Sequence, residues 1–101
     1  MVTNKRLCAG TLSNANATLY AVPADTMTIV KALTLCNASA SAATVTLKLD
    51  GVAILFEHSL DANEYLHIPQ VDQILEAADL IEGLSGTDAV IKYYISGKEI
   101  A

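Results

Sequence analysis

Turn signals interrupt this chain so often that the stretches between them run only about four to eleven residues, too short for much but strands. Ser13-Asn14-Ala15-Asn16, Pro23-Ala24-Asp25, residues 37–41, Asp50-Gly51, Asp61-Ala62-Asn63, Ser85-Gly86-Thr87-Asp88 and Ser96-Gly97 are the breaks. Each combines residues that tolerate or favour turn backbone. Regularly spaced short strands of this kind make an antiparallel sandwich or barrel. The expectation is an all-β, single antiparallel β-sandwich, Greek-key or jelly-roll-like, of about seven to nine strands. With 101 residues there is enough chain for one core without staples. The domain is read as 1–101 with a short N-terminal arm, 1–5.

Alternation within the segments supports the strands. Thr44 to Leu49 places Val45, Leu47 and Leu49 inward and Thr44, Thr46 and Lys48 outward. Asp50-Gly51 is a hairpin turn leading into Val52 to Phe56. In Thr26 to Cys36, Met27, Ile29, Leu33 and Leu35 share one face, with Lys31 the exception, and Thr28, Val30, Ala32 and Thr34 take the other. Tyr65 and His67 point outward from Leu66 and Ile68. Ile91, Tyr93 and Ile95 share a face near the C-terminus. Arg6 to Leu12 is a further strand, and Thr18 to Val22 reads as an edge strand closed by Pro23. One segment conflicts. Val71, Ile74, Leu75, Ala78, Ile81 and Leu84 recur at helical spacing, so a short helix within 71–84 is the alternative to two strands turning at Ala77-Ala78-Asp79.

Charge narrows the function classes. The net charge of −5 argues against a nucleic-acid partner. From Asp50 to Ile91 there are nine acids and no Lys or Arg, whereas four bases and one acid precede Asp50. Such a chain has an acidic and a basic part, suited to head-to-tail contact between copies or to a charged partner. No apolar run reaches the roughly 18 residues of a membrane span, and no signal-peptide pattern opens the chain, so a soluble protein made in a cytoplasm is expected. Cys8 and Cys36 read as buried free thiols, with no zinc spacing around them.

Catalytic chemistry finds no footing. His58 and His67 both read as surface residues, and no nucleophile, phosphate-loop or metalloprotease motif is present. Asp61, Asn63 and Glu64 form the best oxygen cluster for a cation, which spacing alone does not separate from a polar turn. The expectation is no enzyme, no cofactor and no metal. Four Tyr and no Trp give a poor platform for sugars, which weakens a carbohydrate- or receptor-binding module.

Several strings nevertheless resemble a known family. Leu19-Tyr20-Ala21-Val22-Pro23-Ala24, Ile29-Val30-Lys31, Leu35-Cys36-Asn37 and Ala43-Thr44-Val45-Thr46-Leu47 look like a run in small virion β-sandwich proteins of tailed bacteriophages. Leu75-Glu76-Ala77-Ala78-Asp79-Leu80-Ile81 and Ile95-Ser96-Gly97-Lys98-Glu99-Ile100 continue the likeness, which covers Leu19 to Ile100. Ala78 departs from it, standing where the family carries Gly. The resemblance implies extended structure over 71–84 and a structural protein of the virion, working in copies. Capsid decoration (cement) is the first choice, with a tail, neck, baseplate or fibre component as the alternative. The implied partners are the protein itself, as a homo-oligomer and by family analogy a trimer, and the major capsid protein or another virion protein. Candidate contact residues are Val30, Tyr65 and Tyr94, uncharged and expected outward, and Lys5 and Arg6 of the basic N-terminus.

Overall fold

The structure is a computed structural model and describes residues 2–101. It is all-β: nine strands and, among the described residues, no helix, hence none long and apolar enough to cross a membrane. The strands are β1 (Val2–Thr11), β2 (Ala17–Ala21), β3 (Met27–Asn37), β4 (Ala43–Leu49), β5 (Val52–Leu60), β6 (Tyr65–Ile68), β7 (Gln73–Leu75), β8 (Leu80–Ser85) and β9 (Ile91–Ile100). Two antiparallel sheets pack face to face. One has the order β1-β9-β3-β6, with β7 also on β3; the other runs β2-β8-β4-β5.

This order follows from folding one long antiparallel ribbon. Strands β6 and β7 share one edge of β3, β6 on Leu33–Cys36 and β7 on Thr28–Val30, so they act as a single interrupted strand. The ribbon then pairs β1 with β9, β2 with β8, β3 with β6 and β7, and β4 with β5. Rolling it brings β9 onto β3 and β8 onto β4. That is the jelly-roll arrangement of two Greek keys. It stacks β1 over β2 at one side of the sandwich and puts β5 beside β6 and β7 at the other.

Local chemistry accounts for the elements. Asp50 and Gly51 have φ of 51° and 76°, both positive, as a two-residue hairpin turn requires, and Leu49 pairs with Val52 across it. β4 buries Val45, Leu47 and Leu49 as its alternation demands. Residues 71–84 are the two short strands β7 and β8 around a turn at Glu76–Asp79, where Ala78 takes φ 71°. The helical spacing there is overridden by pairing: β7 lies on β3, and β8 is a central strand between β2 and β4.

Three expectations are corrected. The described residues of the supposed arm, 2–5, belong to β1 and pair with β9 from Val2↔Ile100 to Lys5↔Gly97. In β3, Val30 pairs with Gly97 and Ala32 with Ser96, leaving Lys31 as the extra residue of a bulge. A bulge moves the strand's register by one, so the inward set changes phase across it. Thr28 and Val30 point inward before Lys31; Leu33, Leu35 and Asn37 point inward after it. Met27 and Ile29 therefore lie on the outer face. Both cysteines are free and half-buried rather than buried; Cys8 pairs with inward Ile95, and Cys36 pairs with outward Lys92, so they occupy opposite faces.

Candidate interaction surface

Directly paired residues in antiparallel strands share a face, so the register maps the outer surface of the β1-β9-β3-β6 sheet. Across β1, β9, β3 and β6 one row reads Thr11, Lys92, Cys36, Tyr65 and the next Ala9, Tyr94, Thr34, His67. Arg6, Ser96 and Ala32 follow, and beyond the bulge come Asn4, Lys98, Ile29 and, on β7, Ile74. The cations on this face are Arg6, Lys92 and Lys98. At its margin Asp72 pairs with Lys31 Nζ at 2.5 Å. The rows of this face in an acidic chain thus carry three cations and no acidic side chain.

The face also carries exposed apolar surface. Tyr65 is 70% exposed, Tyr94 51% and Ile74 60%, values that place large rings and branched chains in water. The Arg6 guanidinium stands 5.8 Å from the Tyr94 ring centroid, a cation–π contact that holds both side chains over the sheet. Thr34 Oγ1 and His67 Nδ1 lie 2.8 Å apart and tie β3 to β6 at the surface.

Of the five residues singled out from sequence, Arg6, Tyr65 and Tyr94 converge on this face. Lys5 lies on the opposite, inner side of the same sheet at its open rim, where its Nζ reaches Glu99 at 3.4 Å. Val30 is corrected: at 1% exposure it is a core residue, not an outward one. Lys92, Lys98 and Ile74 were missed. The first two were readable from the alternation Lys92-Tyr94-Ser96-Lys98. Ile74 was hidden by the helical spacing of 71–84, which placed it in a core stripe.

The rim around Lys5 is a polar clasp between the sheets. The Tyr20 hydroxyl, on β2 of the other sheet, donates to Glu99 and lies 3.0 Å from Thr28 Oγ1. Burial, then the Glu99 bond, push the Tyr20 phenol up to about 12. The same bond from Tyr20, with Lys5 assisting, holds Glu99 below the usual carboxylate range. Burial pushes the Cys8 thiol up to about 11, which leaves it protonated and unreactive at neutral pH.

Elsewhere the polar groups serve the fold. Asp61 and Glu64 close their own turn: Glu64 Oε1 accepts from the Asp61 N–H at 3.1 Å, and Glu64 N–H donates to the Asp61 carbonyl at 3.0 Å. Among the described residues no three His, Cys, Asp or Glu side chains gather as metal ligands. A shallow depression lined by Ala42, Ala43, Thr44, Ser59, Gly86 and Thr87 holds no ionisable side chain. Tyr20 and Tyr93 face inward, so two of the four tyrosines stand on the outer face.

No protein-family model matches the chain, and no curated protein matches it in sequence. The likeness to phage virion sandwiches therefore rests on the motifs quoted above.

Proposed function

We propose that the protein is a structural component of a tailed-phage particle, a capsid decoration protein that binds the assembled shell and stabilises it as a homo-oligomer. The observation that carries this reading is the outer face of the β1-β9-β3-β6 sheet. Its rows carry no acidic side chain, and Arg6, Lys92, Tyr94 and Tyr65 stand in the open. Such a face suits docking on another protein's surface, where aromatic and Arg side chains supply most of the binding energy. A protein that binds only the assembled shell stabilises it by mass action. The jelly roll supplies a rigid platform, and the sequence likeness supplies the phage.

The test is co-sedimentation with capsids of the phage that encodes the chain, prepared without it, followed by imaging of the decorated particle. Retention on the shell at saturable stoichiometry, lost on Lys92→Glu with Tyr94→Ala, is the expected result. Failure of the wild-type protein to sediment with capsids would overturn decoration, and density on the tail would move the protein to the tail alternative.

A further inference from the structure

The outer face of the β1-β9-β3-β6 sheet is charged against the sign of the chain. The chain carries a net −5, yet the rows of this face hold Arg6, Lys92 and Lys98 and no acidic side chain. The cations run down the middle of the sheet rather than along its rim. Lys92 and Lys98 stand on β9, which pairs with β1 on one side and β3 on the other, and Arg6 stands on β1 directly across from Ser96 of β9. Six residues separate the two lysines, roughly 20 Å along the strand, with Tyr94 and Ser96 between them on the same face.

The fold does not use these charges. Among the described residues the lysine and arginine ion pairs are Lys5 with Glu99 and Lys31 with Asp72; Arg6, Lys92 and Lys98 form none. The Arg6 guanidinium rests against the Tyr94 ring, a contact that holds it in place without giving its N–H donors a carboxylate. The surroundings set the kind of anion. Tyr65, Tyr94 and Ile74 are exposed on this face, and Ile29 lies across from both Lys98 and Ile74. A phosphate backbone calls for more cations and a basic chain around them. Three cations spaced among aromatic and aliphatic side chains match the mixed surface of another protein.

We propose that the surface docked on this face is acidic: Asp and Glu side chains of another protein meet Arg6, Lys92 and Lys98, and apolar side chains between them meet Tyr65, Tyr94 and Ile74. The proposal rests on the reading of this face as the docking surface and names the chemistry of its partner. Charge also sets the orientation of approach. The rest of the chain holds eleven acids against three bases, Lys5, Lys31 and Lys48, and repels an acidic partner, so only this face attracts it. An Arg fork further favours a carboxylate, which it can grip with two parallel hydrogen bonds.

The test is a titration of the isotopically labelled protein with poly-L-glutamate at low salt, read by amide resonances. The shifted amides are expected to cluster at Arg6, Lys92, Tyr94 and Lys98 and to return as ionic strength rises. Lys92→Gln with Lys98→Gln is expected to weaken binding about threefold to tenfold. Lys48→Gln, on β4 of the other sheet, is expected to leave it unchanged, and the spectra themselves report that each variant is folded. No binding at low salt, shifts centred elsewhere, or a double variant equal to wild type would overturn the inference. So would tighter binding of duplex DNA, which would make the face a reader of phosphates. Shifts at the same amides on concentrating the protein without probe would give the face to a second copy and overturn it as well. The capsid experiment stands apart. Capsid binding indifferent to salt would sink the acidic partner and keep decoration, whereas poly-glutamate binding without capsid binding would sink decoration alone.

Discussion

Asn37 has no exposed surface, and its side chain is fully used. Its Nδ2 donates toward the carbonyls of Ser41, Leu60 and Asp61, and its Oδ1 accepts from the Ser39 N–H and hydroxyl. One amide thereby joins the β3–β4 and β5–β6 loops. Asn37→Asp keeps the shape but turns a carboxylate oxygen toward three carbonyls, and buried unmatched polar groups cost about 1–3 kcal/mol each, more when charged. A loss of about 2–4 kcal/mol at pH 7 is expected in urea unfolding, smaller at pH 4 where the acid is partly protonated; an unchanged midpoint would refute the role given to Asn37. Ala78 presents the opposite case, a residue that strains its site. At φ 71° its Cβ meets the backbone conflict that costs an L-residue roughly 1–2 kcal/mol. Ala78→Gly removes that cost and adds unfolded-state freedom, so a net gain of about 0.5–1 kcal/mol is expected. Ala77→Gly, whose φ is not positive, is the control and should lose stability.

Leu47 carries the core contribution of its strand. It has no exposed surface, and its Cδ1 lies 3.2 Å from where a Cβ on Gly83 would stand, so β4 and β8 meet closely there. Leu47→Ala is expected to cost about 2–5 kcal/mol in chemical denaturation; a neutral result would contradict the packing. The inward set of β4 was legible because no bulge interrupts its pairing with β8, and a period of two therefore holds from Val45 to Leu49. β3 was only half legible. Its alternation contained one anomaly, Lys31 on an otherwise apolar face, and that anomaly is the bulge. A bulge depends on the partner strand and on Asp72, forty-one residues away, so alternation alone left Val30 on the wrong face. Ile74 failed for a related reason: the apolar spacing of 71–84 fits a helix, and only pairing to β3 and β4 decides for strands. Deleting Lys31 tests the element directly. The deletion would put β3's two halves in one phase, so either Val30 or Leu33 and Leu35 must leave the core. The variant is expected to lose cooperative unfolding by near-ultraviolet circular dichroism and calorimetry, whereas Lys31→Ala is expected to keep it.

On the scale of the whole molecule, the turn spacing made a sandwich of short strands legible, but the roll of the ribbon was not, because strand order is set by pairings between residues far apart in sequence. The clasp at the open rim is one such long-range product: β2 contributes Tyr20, β3 Thr28, β1 Lys5 and β9 Glu99, with Cys8 close by. It makes stability depend on pH in a definite direction. In the unfolded chain Cys8 loses its proton near 9.0 and in the folded one near about 11; Tyr20 moves likewise from 10.0 to about 12. Between each pair of values the unfolded state holds fewer protons than the folded state, so rising pH favours unfolding. The contribution of Cys8 and Tyr20 is therefore complete below about pH 9 and falls progressively from there toward 12. Glu99 works at the other end: its lowered value gives stability that is present above the ordinary carboxylate range and is lost as pH falls through the folded value. Urea midpoints measured from pH 3 to 11 should form a plateau with a shoulder on each side. In Cys8→Ala with Tyr20→Phe the alkaline shoulder should shrink to the part left by Tyr93, whose phenol burial also raises, and the acid shoulder should shrink, because Glu99 has lost its hydroxyl donor. An alkaline slope unchanged in that variant would mean the sheets are held at this rim by something other than the clasp.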